Sequence, residues 1–303
     1  MTSLSPVGPA ASAPYKAAIF MITAIFCFSM MNAAIKALEE EYSIVQIIFF
    51  ARILSPLLAI WLALRAGGLE VLHTKRPMGH ILRGLVALCS MATFIYALGH
   101  MTVSKAITIN FAAPLFVAIL AIIVLREKVG PRRWAAILIG FVGVIVIVRP
   151  DDGRIDLPSI VAIASAVFYG ATVIMTRRLA LTEHSATMLF YFGLMVSVLP
   201  GLALPWVWVT PTGDAIWLFA LIALAGTVAW YLMAEAYRFG EATMIVPLDY
   251  THLLWAVMFD WLIWATIPAW TTFAGGALII GANLFILWRE ARLGRVKATL
   301  ERP

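Results

Sequence analysis

The sequence predicts an all-α integral membrane protein with ten transmembrane helices in two inverted five-helix repeats and both termini in the cytoplasm. Three observations predict it: the composition, the spacing of the apolar runs and a similarity between the two halves. Of the 303 residues, 63% are hydrophobic and 13% are charged, whereas soluble domains are about 45–50% apolar and about 25% charged. Disordered, fibrous and disulfide-rich classes are excluded, and lipid must surround much of the chain.

Ten apolar runs, bounded by charges, proline or glycine, are the predicted spans. A helix needs roughly 20 residues to cross a bilayer, and the runs lack the alternation of membrane strands. The shortest is the fifth, with 15 uncharged residues from Trp134 to Val148. The runs cover residues 16–36, 43–65, 80–100, 103–125, 132–149, 157–178, 185–207, 214–237, 242–264 and 268–288.

Four segments follow from these runs. Residues 1–15, rich in Ser, Pro and Ala, predict a disordered tail, and they lack the basic region that begins a signal peptide. Residues 16–150 predict the first five-helix repeat and residues 151–289 the second. Residues 290–303 predict a basic cytoplasmic tail.

The loop charges predict the orientation. Sixteen Lys and Arg residues lie on the side of the N-terminus and four on the opposite side, so both termini are predicted to be cytoplasmic and the location is the cell inner membrane. The net charge of +6 is spread over loops with no basic domain. It therefore marks topology and predicts no nucleic-acid partner.

Two segments recur about 140 residues apart. Residues 24–29 align with residues 166–171, and residues 137–143 resemble residues 275–281. Because five spans is an odd number, the second copy must enter the membrane from the opposite side. Inverted repeats of this kind are typical of secondary transporters, whose sites lie near the midplane between the halves.

Three motifs resemble EamA-type carriers of the drug/metabolite transporter superfamily. They are residues 125–143 around Glu127, Asn110-Phe-Ala-Ala-Pro114 and residues 247–256, which read Pro-Leu-Asp-Tyr-Thr-His-Leu-Leu-Trp-Ala. The chain departs from the pattern at Ala265, which stands where the first repeat has Glu127, and at Asp260, where a small residue is usual. The resemblance implies a transporter. Members of the family are similar to exporters of amino acids and metabolites, and to carriers of riboflavin or S-adenosylmethionine.

Ionisable residues inside spans are candidate functional residues, because they are costly in lipid. Arg52 lies near the middle of the second span, and we expect it to face a central cavity. Asp249 and His252 lie three residues apart in the ninth span. They are either a proton-sensitive pair on the pathway or a structural hydrogen-bond cluster.

Three other charged residues have simpler interpretations. Arg83 is expected to reach the cytoplasmic interface, Glu235 to pair with Arg238, and Asp260 to stay solvated near the outer end of its span.

Polar, aromatic and proline residues complete the candidate pathway. Deep tryptophans serve more often in packing than in ligand binding, but an aromatic wall would favour a planar solute. Proline removes a helix hydrogen bond and leaves carbonyls free, which suits either a packing kink or a gate. The pathway candidates are Asn32, Tyr96, Asn110, Tyr169, Trp230, Tyr250 and Trp255, and the kink candidates are Pro114 and Pro247.

Small residues four apart on the fifth and tenth spans predict close helix packing, either between the halves or in a homodimer. They are Ala136 and Gly140, and Ala277 and Gly281. No phosphate-binding loop, metal motif or nucleophile elbow is present, which predicts no cofactor, no bound metal and no enzyme activity.

The sequence therefore predicts a secondary transporter that moves a small organic metabolite by alternating access. Its site would be formed by the first, third, fourth, sixth, eighth and ninth spans. Export of an amino acid or related compound is the first interpretation, with proton coupling through Asp249 and His252 as a further hypothesis. The alternative is an uptake carrier for a larger aromatic or nucleoside-like solute, such as riboflavin or S-adenosylmethionine. From another class, a lipid-modifying membrane enzyme would need clustered acids or metal ligands at one interface.

Overall fold

The computed structural model describes residues 14–66, 68–125, 131–148, 155–239 and 245–300. The predicted disordered tail lies outside these residues except at its last two, which begin the first helix. The last helix continues to Leu300, and residues 301–303 lie outside the description. Within the described residues the regular structure is helical, with no strand.

The described helices follow the ten spans predicted from the sequence. Eight helices are long and apolar enough to span a membrane, and Trp134–Val148 in the fifth span is a shorter apolar helix. A 3₁₀ helix, Leu69–Leu72, lies between the second and third spans. In order, the spans are Pro14–Glu39; Ile44–Arg52 with Ser55–Ala66; Pro77–His100; Val103–Asn110 with Ala113–Leu125; Pro131–Val148; Leu157–Leu179; Ser185–Val207; Asp214–Phe239; the 3₁₀ helix Val246–Thr251 with His252–Trp264; and Trp270–Leu300.

The spans pack in a pattern that relates the two repeats by a two-fold axis. The first span packs against the eighth, and its counterpart, the sixth, packs against the third. The second pairs with the seventh, the fourth with the ninth and the fifth with the tenth. These five pairings are kept when the repeats are exchanged, as an inverted repeat requires. The chain is a multi-pass membrane protein, and we refer to the side of both chain ends as the cytoplasmic side.

Two spans on this axis are broken near a proline. The fourth span breaks at Phe111–Ala112, before Pro114, and the ninth begins as a 3₁₀ helix that contains Pro247. A broken helix leaves carbonyls that need partners, and Asn283 donates to the Phe111 carbonyl at 2.8 Å. The breaks are therefore fixed features that shape the centre of the molecule.

The fifth and tenth spans cross at glycines that the sequence interpretation did not select. A Cβ on Gly143 would lie 2.7 Å from the Gly275 carbonyl oxygen, so only glycine lets the backbones approach here. Gly140 instead faces Leu115, and a Cβ on Gly281 would meet nothing within 4 Å. The predicted close approach is correct for the two spans but wrong in position, because the crossing lies about one turn nearer the outer end.

Candidate functional site

A cavity of about 440 Å³ lies between the repeats near the middle of the membrane. Small-molecule sites are typically about 300–1,000 Å³, so a metabolite of moderate size fits. The six spans expected from the sequence all contribute, and the second span adds Ala51 and Arg52. The predicted residues that line it are Asn32, Arg52, Asn110, Pro114, Tyr169, Trp230, Asp249, Tyr250 and His252.

Three predicted residues do not line this cavity. Tyr96 lies nearer the outer end, where its ring stacks on His100 with 4.1 Å between centroids. Trp255 packs edge-on against Phe26 at 5.1 Å and serves the packing of the first and ninth spans. Pro247 lies in the 3₁₀ helix that carries Asp249. It therefore affects the conformation of this part of the cavity wall, but its side chain does not line the cavity.

Arg52 is placed by a break in the second span. The helix ends at Arg52 and resumes at Ser55, and Ser197 donates to the freed Arg52 carbonyl at 2.7 Å. The guanidinium lies over the Trp230 ring, 5.6 Å from its centroid, a distance suited to a cation–π contact. It forms no salt bridge with any described residue, so its donors are open to the cavity.

Asp249 and Tyr169 line the cavity from the ninth and the sixth spans. Asp249 stands on the 3₁₀ helix and is exposed to the cavity. Tyr169 is 47% exposed and lies within electrostatic range of both Asp249 and Arg52. The structure shows no ion pair between Arg52 and Asp249 within the described residues. The cavity therefore presents one cation and one anion that do not neutralise each other.

His252 takes its partner from the first repeat. Its Nε2 lies 3.3 Å from the amide nitrogen of Asn32. An amide nitrogen only donates, so in this orientation the imidazole accepts through Nε2 and carries no proton there. Asp249, three residues earlier, is not its hydrogen-bond partner.

Sequence reasoning missed a serine pair and much of the aromatic wall. Ser90 and Ser165 each donate to the other's carbonyl at 3.1 Å, and Asn110 donates to the Ser165 hydroxyl at 3.3 Å. Neither serine stands out among small residues in sequence. Tyr237 also lines the cavity. In the sequence it lies close to the end of an apolar run, where a residue is expected at the helix end and not at the cavity. The further aromatic lining residues are Phe28, Phe94 and Phe111.

The outer end of the cavity is closed. A single apolar cluster there joins Leu38 and Phe219 to Leu98, Val103 and others. Polar contacts cross in the same region between two sets of spans, which we name the 1-8-9 group and the 3-4-6 group. In one of them, Lys36 of the first span donates to the Met101 carbonyl at the start of the fourth.

The two groups do not join in the same way at the cytoplasmic end. Phe20 stacks on Phe239 within the 1-8-9 group, with centroids 5.8 Å apart. Arg178 donates to the Val124 carbonyl within the 3-4-6 group at 2.6 Å. The described contacts that cross between the two groups thus lie towards the outer end of the cavity.

Two expectations for charged residues are wrong, and one is confirmed. Arg83 is 3% exposed and does not reach the interface, because it donates to the Met188 carbonyl and to Thr176. Asp260 is 1% exposed, since it caps the fourth span. Glu235 pairs with Arg238 at 3.2 Å as expected.

Comparison with known proteins agrees with this architecture. The sequence pattern of the EamA-like transporter family matches residues 15–149 and 157–288. A riboflavin transporter of Rhizobium johnstonii is 32% identical over 76% of this chain and 77% of its own. An S-adenosylmethionine uptake transporter of Rickettsia bellii is 29% identical over 74% of this chain and 77% of its own. A solved crystal structure shares the fold with a TM-score of 0.62 at 18% identity, over 93% of this chain and 99% of that one.

Proposed function

We propose that this chain, which belongs to the EamA-like transporter family, is an uptake carrier for a planar heteroaromatic metabolite with a charged tail. The chain is a transporter of the drug/metabolite superfamily. The two relatives named above carry solutes that contain a fused aromatic ring system. They support the aromatic alternative over amino acid export.

The observation that carries the proposal is the cavity's combination of aromatic walls and two separated charges. Phe28 packs edge-on against Trp230 at 5.4 Å, and Phe111 packs in the same way against Tyr250 at 5.1 Å. Rings held in this way offer rigid faces to a planar group at low entropic cost. Alternating access would then carry the ring system between these walls.

The charges select the tail of the solute. The donors of Arg52 match a carboxylate, and Asp249 matches a cationic group. A solute with both groups would leave neither charge unpaired in a low-dielectric site, where an unpaired charge is costly. S-adenosylmethionine has this chemistry, whereas riboflavin has a neutral polyol tail.

Proton coupling through Asp249 and His252 stays a weaker proposal. It is supported by the exposure of Asp249 to the cavity and by the hydrogen bond from Asn32 to His252. Protonation of His252 at Nε2 would remove the acceptor of that bond.

A binding panel on the purified protein tests the proposal. A ligand that prefers the folded state raises the apparent melting temperature, so we expect S-adenosylmethionine to do so more than riboflavin, adenosine or methionine. Arg52→Gln and Asp249→Asn should each weaken that binding roughly 10- to 100-fold, since each removes hydrogen bonds to a charged group. Arg238→Gln, on the surface, is the matched control and should bind normally. Binding of S-adenosylmethionine that is unchanged in both cavity variants would contradict the charged tail, and no binding by any aromatic solute would contradict the proposed function.

A further inference from the structure

A carboxylate of the ninth span caps a helix of the opposite repeat at the outer end of the cavity. The helix Val103–Asn110 begins the fourth span, and its first backbone N–H groups have no partner within the helix. Val103 donates to one carboxylate oxygen of Asp260 at 2.9 Å, and Ser104 donates to the other at 2.8 Å. A single side chain therefore joins the 1-8-9 group to the 3-4-6 group.

The Asp260 cap is strong only while the 1-8-9 group and the 3-4-6 group are in contact. A carboxylate at a helix N-terminus is favoured by the helix dipole and by charge-assisted hydrogen bonds. Asp260 is 1% exposed, and a buried charge that loses its partners is strongly destabilising. Separation of the ninth span from the fourth would leave both the carboxylate and two N–H groups without partners.

Lys36 strengthens the same contact from the first span. Its ammonium donates to the Met101 carbonyl, lies 5.0 Å from the centroid of the Trp264 ring, and interacts electrostatically with Asp260. The cluster of Lys36, Asp260 and the N-terminus of the fourth span, which we name the outer latch, thus ties three spans together.

We propose that Asp260 is a positioning residue of the transport cycle, which holds the outer end closed through the outer latch until the cavity opens to the outside. The inference rests on the proposed function, since a latch of this kind matters only to a carrier that alternates between two openings. Loss of the latch should shift the population towards the conformation that is open outside.

Side-specific labelling tests the latch without knowledge of the solute. The reporter is Ile95→Cys, a cavity-lining residue that is 3% exposed, in a chain whose Cys27 and Cys89 are replaced by alanine. A membrane-impermeant maleimide is added from the outer side of oriented vesicles. We expect Asp260→Asn to raise the labelling rate at least about tenfold, because it removes a charge-assisted cap.

Asp156→Asn is the matched control. Asp156 also caps a helix at its outer end, where it accepts from Ser159 at 3.2 Å, but that bond lies within one helix and joins no groups. Its substitution should leave the labelling rate unchanged. Equal rates in the parent, Asp260→Asn and Asp156→Asn would overturn the proposal.

Lys36→Met is the second test variant of the outer latch, for use if Asp260→Asn does not fold. It weakens the same latch without removing the cap, and we expect a smaller increase in outer labelling. A folded Lys36→Met protein with parental labelling would then overturn the latch. The labelling experiment needs no substrate. A binding panel that fails would therefore reject the proposed solute class without affecting the labelling result for the outer latch.

Discussion

The outer and cytoplasmic ends of the cavity are built from the same two helix groups but hold them together differently. At the outer end, a continuous apolar cluster and the outer latch join the 1-8-9 group to the 3-4-6 group. At the cytoplasmic end, the described hydrogen bonds and aromatic pairs stay within each group. The described contacts between the groups therefore lie at the outer end, and the proposed transport cycle would have to break them.

The inverted repeat explains how both faces can use one set of helices. Exchanging the repeats turns the packing of the outer half into a possible packing of the cytoplasmic half. A carrier needs both states within a few kcal/mol of each other. The contacts that close the outer end must therefore be offset by other contacts that form when it opens.

The largest expected effect comes from forcing the outer half apart. In Gly275→Leu the new side chain would meet the Gly143 carbonyl and Ile147 of the fifth span. Overpacking costs about 1–3 kcal/mol in a tight core, occasionally more. We expect a large loss of monodisperse protein in size-exclusion chromatography and a lower melting temperature.

Gly281→Leu is the control on the same helix. A Cβ there meets nothing within 4 Å, so the melting temperature should stay near that of the parent. Equal destabilisation by both variants would show that the outer crossing is no tighter than the rest of the tenth span.

A smaller effect is expected inside the cavity. Trp230→Ala removes the ring that lies under Arg52 and beside Phe28, so solute affinity should fall about tenfold. Trp217, on the same span, is 75% exposed, and Trp217→Ala should bind normally. Binding isotherms for the two variants check this, and equal affinities would remove Trp230 from the solute site.

Composition and periodicity predicted the spans because lipid imposes a length and a polarity on every helix. The same reasoning located Arg52 and Asp249, since charges within apolar runs stand out. It misplaced Asp260 and Arg83, because sequence position gives depth along a helix but not the neighbour that it faces. No sequence feature singled out Ser90 and Ser165. A small polar residue acquires its role only when a second helix brings a carbonyl within hydrogen-bond distance of it.

The central claim is that the contacts between the 1-8-9 group and the 3-4-6 group close the outer end of the cavity. Tyr169→Cys, in the chain without its two native cysteines, places a thiol at the middle of the cavity. An impermeant maleimide applied separately to each face of oriented vesicles, without solute, measures the access directly. The structure predicts labelling severalfold faster from the cytoplasmic face, and faster labelling from the outer face would contradict it.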